Sequence, residues 1–188
     1  MRAIFRKSVV VCACLAVAGL VACRATGTKV VIRQDIYMPS FANENLSAYK
    51  GTSVYLSAVT NNANNTSIWN YYSPGSAVYY EATPALQTYF WDCFIKDFNW
   101  IGVKTASDSS GAPNMEIIMT SITDQEFRFQ VTLLPPGKSP FRKDYTVTMS
   151  PTQDTDPAKL EQRGYRLVDA AFTAIVRDPE FKKAFLGR

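Results

Sequence analysis

Few side chains of this sequence could do covalent or acid–base chemistry. The chain of 188 residues has four cysteines and no histidine, which excludes imidazole catalysis and the common histidine-containing zinc sites. Asp92 and Asp97 fall about 140° apart around a predicted helix, so they do not converge as an acid–base pair. Asp92 is next to Cys93, but without a base the two do not form a triad. We therefore expect no enzymatic activity, no cofactor and no metal.

The N-terminus has the pattern of a secretory signal. Three basic residues, Arg2, Arg6 and Lys7, precede an uncharged and mostly apolar segment over residues 8–22. A charged region followed by an apolar region is typical of such a signal. The apolar segment is shorter than the roughly 20 residues that a membrane span needs. We therefore expect residues 1–22 to be a signal peptide that is removed.

The end of this segment, Leu20-Val21-Ala22-Cys23, resembles the bacterial lipobox. In bacterial lipoproteins the cysteine of this motif receives a diacylglycerol, and its new amine is usually acylated after cleavage, with chains such as palmitate. The resemblance thus implies lipidation at Cys23, and two or more acyl chains anchor a protein durably in a bilayer. The alternative is an ordinary signal peptide with an incidental cysteine, because Cys12 and Cys14 show that the segment tolerates thiols.

The residue after Cys23 suggests a location for the mature chain, and the charge of that chain limits the kinds of partner it can bind. Arg24 rather than aspartate follows Cys23, which in enteric-type lipoproteins implies an outer-membrane anchor, here with the domain facing the periplasm. Removal of residues 1–22 takes three basic residues and no acidic one, so the formal charge falls from +4 to +1. A charge this small gives no electrostatic case for nucleic-acid binding. The expected partners are the lipid bilayer and an envelope protein.

The mature chain divides into a short tether over residues 23–28 and one domain over residues 29–188. Cys93 is the one cysteine left without a role after the signal and Cys23 are set aside, and its apolar neighbours favour a buried structural thiol. Alternating and helical patterns predict strands at 29–38, 51–61, 103–105, 115–121, 126–134 and 141–149, and helices at 84–102, from 157, and from 179. We expect an α+β fold in which two main helices pack on one face of a mostly antiparallel sheet.

The order of these elements resembles that of small envelope lipoproteins, namely the auxiliary components of ABC-type transport systems, YajG-like lipoproteins and the lipopolysaccharide-assembly lipoprotein. The resemblance rests on the lipobox, the strand GTSVYL, the helix ALQTYFWDCFIKDFNWIG, the hairpin EFRFQVTLL/FRKDYTVTM and the terminal helix around LVDAAFTAIV. It covers most of residues 29–188 through pattern and order. It implies a noncatalytic adaptor that holds or plugs an envelope partner, including a partner in transport.

Surplus aromatic residues are the candidates for a binding surface, and they lie in the loop before residue 73 and on the first helix: Trp69, Tyr71, Tyr72, Trp91 and Trp100. They could contact an envelope protein, or they could stack on a glycan such as peptidoglycan. A coplanar strip flanked by amides would favour sugar, whereas an apolar groove on the helix would favour protein or lipid. The loop aromatics could instead cover the core beneath a long loop.

Overall fold

The structure, a computed structural model, describes residues 27–42, 46–75 and 77–187. The expected signal peptide and Cys23 lie outside these residues. A short 3₁₀ turn occupies Ser47–Tyr49. The remaining elements, in chain order, are β1 (Lys29–Arg33), β2 (Ser53–Asn61), β3 (Asn70–Tyr72), β4 (Tyr79–Thr83), α1 (Leu86–Trp100), β5 (Lys104–Thr105), β6 (Asn114–Ile122), β7 (Glu126–Leu134), β8 (Phe141–Thr148), α2 (Pro157–Val176) and α3 (Pro179–Leu186).

The strands form two mixed sheets. One has three strands in the order β1-β4-β3, and the other has five in the order β5-β2-β6-β7-β8. The β1–β4, β2–β5 and β2–β6 pairs are parallel, whereas β3–β4, β6–β7 and β7–β8 are antiparallel. The α+β class with two main helices is confirmed. The parallel pairs were not predicted, because each joins strands separated by other elements, as parallel pairing requires.

One face of the five-stranded sheet carries the core. The buried apolar residues of β7 alternate along the strand, as expected for a strand with one covered face: Phe127, Phe129, Val131 and Leu133. Both helices cover this face. The ring centroid of Phe90 on α1 lies 4.9 Å from that of Phe127, and α1 meets α2 through Phe98 and Phe172, whose centroids are also 4.9 Å apart.

A β-bulge changes which residues of β2 face the core. The pattern predicts that Val54, Leu56 and Ala58 share one face, but the register with β6 shifts between Leu56 and Ala58. An extra residue at a bulge reverses the alternation beyond it. Val59 is consequently buried, and Ala58 is only half-buried. The prediction for the second half of this strand was therefore wrong.

The three helices begin in two different ways. The Asp156-Pro157 pair predicts a cap followed by a proline in the first turn. In the structure the Asp156 side chain accepts the backbone N–H of Ala158 at 2.9 Å, and Pro157 occupies the first turn of α2. Asp178 caps α3 in the same manner. The Thr83-Pro84 sequence predicts an N-cap at Thr83 with Pro84 in the first helical position. This prediction was wrong, because Thr83 ends β4 and α1 begins at Leu86. A backbone carbonyl takes the place of a side-chain cap there: Ile68 accepts the N–H of Leu86 at 2.9 Å.

Candidate functional site

The aromatic loop divides between the core and the surface. Tyr71 is buried, and its ring stacks on that of Tyr80 with centroids 4.8 Å apart. The sequence makes Tyr71 a candidate either for a binding surface or for covering the core. The structure places it in the middle of β3, with its hydroxyl beside Gly164 of α2, so it belongs to the core. Trp69 and Tyr72 are exposed, each at 51%. Ile68, which sequence reasoning did not single out, is exposed at 62%.

The exposed loop residues do not form one flat strip. Tyr72 pairs across the sheet with Tyr79, at a centroid distance of 6.2 Å and an interplanar angle of 39°. Trp69 lies outside β3, in the bend that precedes it, so it is not part of the strand face that carries Tyr72. A coplanar platform of the kind that favours sugar stacking is therefore not formed by the predicted loop aromatics.

The backbone under Ile68 and Trp69 is held on several sides. The carbonyl of Trp69 accepts the N–H of Ala82 at 2.8 Å, and that of Ile68 accepts from the first turn of α1. Ser67 Oγ accepts the N–H groups of Trp69 and Asn70. The two apolar side chains are thus presented to solvent from an ordered backbone. We define Ile68 and Trp69 as the apolar ridge.

The two tryptophans of α1 lie on different sides of the helix. Trp91 is partly buried against the core, and its Nε1 donates to the carbonyl of Leu56 at 2.9 Å. Trp100 is 50% exposed and borders a groove of about 280 Å³ that is also lined by Leu46 and Ile101. Nine residues separate the tryptophans, which is about 180° around a helix. The structure therefore does not bring the five predicted aromatics together.

A buried polar cluster, which sequence reasoning missed, joins both main helices to the segment after β1. The Tyr37 hydroxyl lies 2.6 Å from Asp97 Oδ1 on α1 and 2.6 Å from Asp169 Oδ1 on α2. Asp169 also accepts the Ser40 hydroxyl and N–H. The single phenolic proton can serve one of the two carboxyl groups. The other short contact requires a second proton, which Asp97 is placed to hold.

Burial is the main cause that raises the pKa of Asp97 well above its usual value. The hydrogen bond from Tyr37 opposes this shift, the negative charge of Asp169 adds to it, and the nearby Lys96 opposes it. Lys96 Nζ also donates to the carbonyl of Tyr37 at 3.1 Å. Asp97 is fully buried. The cluster therefore joins α1, α2 and the segment after β1. It does not present an acid–base pair to a substrate.

Neither a metal centre nor a membrane-spanning helix is found among the described residues. Within the described parts of the chain, no group of three or more histidine, cysteine or acidic side chains is placed to hold a metal ion. No helix among residues 27–42, 46–75 and 77–187 is long and apolar enough to cross a membrane. Cys93, predicted to be a structural thiol, is buried, and burial raises the pKa of its thiol.

Comparison with known proteins finds a similarity in fold alone. No family model matches the chain, and no curated protein matches it in sequence. The crystal structure of protein XCC0632 from Xanthomonas campestris, assigned to the family DUF330, is similar in fold with a TM-score of 0.55. The match covers 85% of this chain and 95% of that chain at 13% sequence identity. Similarity at this identity shows a shared fold in a bacterial protein.

Proposed function

We propose that this protein is a noncatalytic lipoprotein, anchored in the outer membrane through acylated Cys23, whose periplasmic domain helps to assemble or stabilise a cell-envelope complex, such as one in transport. The lipobox residues 20–23 support the anchor. The similarity in fold to a bacterial protein is consistent with a bacterial envelope setting.

The apolar ridge is the observation that carries the adaptor role. Ile68 and Trp69 are more than half exposed although their backbone is hydrogen-bonded to β4 and α1. Covering the exposed half of an indole removes about 100 Å² of surface, worth about 2.5 kcal/mol at ~25 cal/mol per Å². An exposed tryptophan on a fixed backbone is typical of the anchor residues of protein interfaces, because little conformational entropy is lost on binding.

Glycan binding is the second candidate, and the Tyr72–Tyr79 pair is the observation in its favour. Asn70 lies two positions before Tyr72 in the same strand, so both side chains belong to one face of the sheet. The Asn70 amide oxygen is buried, however, and is not presented beside the ring. The 39° tilt between the two rings is unfavourable for stacking one sugar across both. We therefore favour a protein partner.

The complex can be tested in membranes of cells that make the full acylated chain. Trp69→Ser should weaken association on the order of 50-fold if about 2.5 kcal/mol is lost. The measurement is the size of the native complex after mild detergent extraction. Thr146→Ser is the matched control, because Thr146 is also exposed but lies on β8.

The expected result is a complex larger than the free lipoprotein that is lost in Trp69→Ser and kept in Thr146→Ser. A wild-type protein that runs as the free chain would contradict the proposal. So would a complex that is equally stable in both variants.

A further inference from the structure

The described chain begins against the β3–β4 hairpin. Thr28 accepts the N–H of Tyr79 through its carbonyl at 3.0 Å. Gly27 lies so close to the hairpin that a side chain there would collide with the carbonyl oxygen of Ala77. The chain is therefore fixed to this hairpin at a point four residues after Cys23.

The short reach of those four residues limits where the hairpin can be. A fully extended chain spans at most ~3.6 Å per residue, so Gly27 stays within about 14 Å of Cys23 in any conformation. An acylated Cys23 lies at the bilayer surface, where the headgroup layer on each side is itself about 5–8 Å thick. The hairpin is thus the part of the described domain that is tied closest to the membrane.

The chemistry of the hairpin suits a lipid surface. Residues 71–80 contain no charged side chain and four tyrosines. Of these, Tyr72 is 51% exposed and contacts Tyr79 on the outer face of the sheet. Tyrosine is enriched at the membrane–water interface, since its ring is apolar and its hydroxyl reaches water. Charged residues near the hairpin are paired. Lys29 and Glu81 form an ion pair of 2.6 Å. Two carboxylates that border the same pocket as Pro74 and Gly75 each lie 3.2 Å from a basic group, Asp154 from Lys159 and Asp124 from Arg163.

The apolar ridge lies at the other end of the three-stranded sheet. The Trp69 carbonyl bonds to the N–H of Ala82, near the end of β4, whereas Tyr79 at its start bonds to Thr28. β1 runs beside β4 in the same direction from Lys29 to Arg33. At a rise of about 3.3 Å per residue, the two ends of this sheet are about 13 Å apart.

We propose that the hairpin end, defined as Tyr72, Pro74, Gly75, Ala77 and Tyr79, rests on the bilayer that holds Cys23, and that the apolar ridge consequently faces away from the membrane. This inference rests on the proposed function, because it needs the acyl anchor. It assigns one end of the domain to lipid and the other to the envelope partner.

The orientation can be measured with fluorescent probes on the acylated protein. Ala77→Cys places a thiol on the hairpin end, and Met38→Cys places one beyond β1, where Met38 is 74% exposed. Cys93 is fully buried and would not be labelled. Each variant carries an environment-sensitive dye and is reconstituted in vesicles of phosphatidylethanolamine and phosphatidylglycerol, some of them with a nitroxide on the lipid headgroup.

The dye at position 77 should shift to shorter wavelength in vesicles and lose intensity with the nitroxide lipid, whereas the dye at position 38 should change in neither respect. Ser73→Cys is a second hairpin probe in case Ala77→Cys does not fold.

Intact mass and flotation with vesicles establish the anchor separately. A protein without acyl chains would overturn the proposed function and this inference with it. An acylated, vesicle-bound protein with equal quenching at both positions, or stronger quenching at 38, would overturn the orientation alone.

Discussion

Replacement of Asp97 by asparagine should change how the stability of the fold depends on pH. Asp97 is fully buried and shares the Tyr37 hydroxyl with Asp169. Burial raises its pKa in the folded protein, whereas an aspartate in the unfolded chain has a pKa of about 3.9. Between these two pKa values the folded protein binds one proton more than the unfolded chain. Its stability therefore falls as pH rises.

The expected magnitude follows from that one proton. A difference of one bound proton corresponds to about 1.4 kcal/mol per pH unit. At each pH between the two pKa values, the wild-type protein should therefore lose stability relative to Asp97→Asn at up to this rate as pH rises. The amide can donate to the Tyr37 oxygen as a protonated carboxyl does, so the variant keeps the hydrogen bond without the titration.

The assay is urea denaturation of both proteins at pH 5, 6, 7 and 8. Asp35→Asn is the matched control, because Asp35 is exposed in the turn that leads to Tyr37. The free energies of unfolding of wild type and Asp97→Asn should diverge in the direction given above, and those of the control should not. Parallel curves for wild type and Asp97→Asn would refute the reasoning, because they would mean that Asp97 holds no extra proton in the folded state.

Three further predictions concern the packing, an ion pair and the buried thiol. Gly164→Ala should destabilise the fold by about 1–3 kcal/mol in urea denaturation, because the new Cβ would lie 2.8 Å from the Ile32 side chain on β1. This clash should outweigh the better helix propensity of alanine. Unchanged stability would contradict the prediction and show that β1 moves to accommodate the methyl group. Burial opposes ionisation of Asp178, but hydrogen bonds from Lys143 and Tyr145 outweigh it and lower its pKa. The ionised Asp178 therefore stabilises the fold above its unfolded pKa, and this stabilisation is lost as pH falls through its folded pKa. Asp178→Asn should consequently make the free energy of unfolding depend less steeply on pH at acid pH. An equally steep dependence would contradict this prediction. Cys93 should react with iodoacetamide only after denaturation, as measured by mass spectrometry, since burial raises its thiol pKa; rapid labelling of the native protein would disprove this.

Local patterns predicted the elements that a local rule determines. The strict alternation from Glu126 to Leu134 gave the bounds of β7 as the structure has them. The Asp156-Pro157 pair located the start of α2. The helical spacing of apolar residues from Leu160 to Ile175 predicts a buried stripe that includes Leu167, Val168 and Phe172, and all three are buried in α2. In each case the signal lies within a few neighbouring residues.

Features that depend on distant partners were not predictable in the same way. The Tyr37 hydroxyl contacts residues 60 and 132 positions away, and nothing near Tyr37 in sequence indicates either carboxyl. The parallel pairing of β1 with β4 is likewise nonlocal. Tyr71 was grouped with Tyr72 because both are aromatic. The two side chains point to opposite faces because they are neighbours in the short strand β3. The turn-rich composition of residues 61–76 gave no signal for this strand.

Crosslinking in living cells tests the proposed assembly role most directly. A photo-reactive residue replaces Ile68, beside a retained Trp69, in the full acylated chain, and another replaces Thr146 as the control. The account predicts one protein adduct that forms in high yield from position 68 and not from position 146, with mass spectrometry identifying an envelope protein. Adducts confined to peptidoglycan or other glycan would contradict the adaptor role and favour a glycan-binding module.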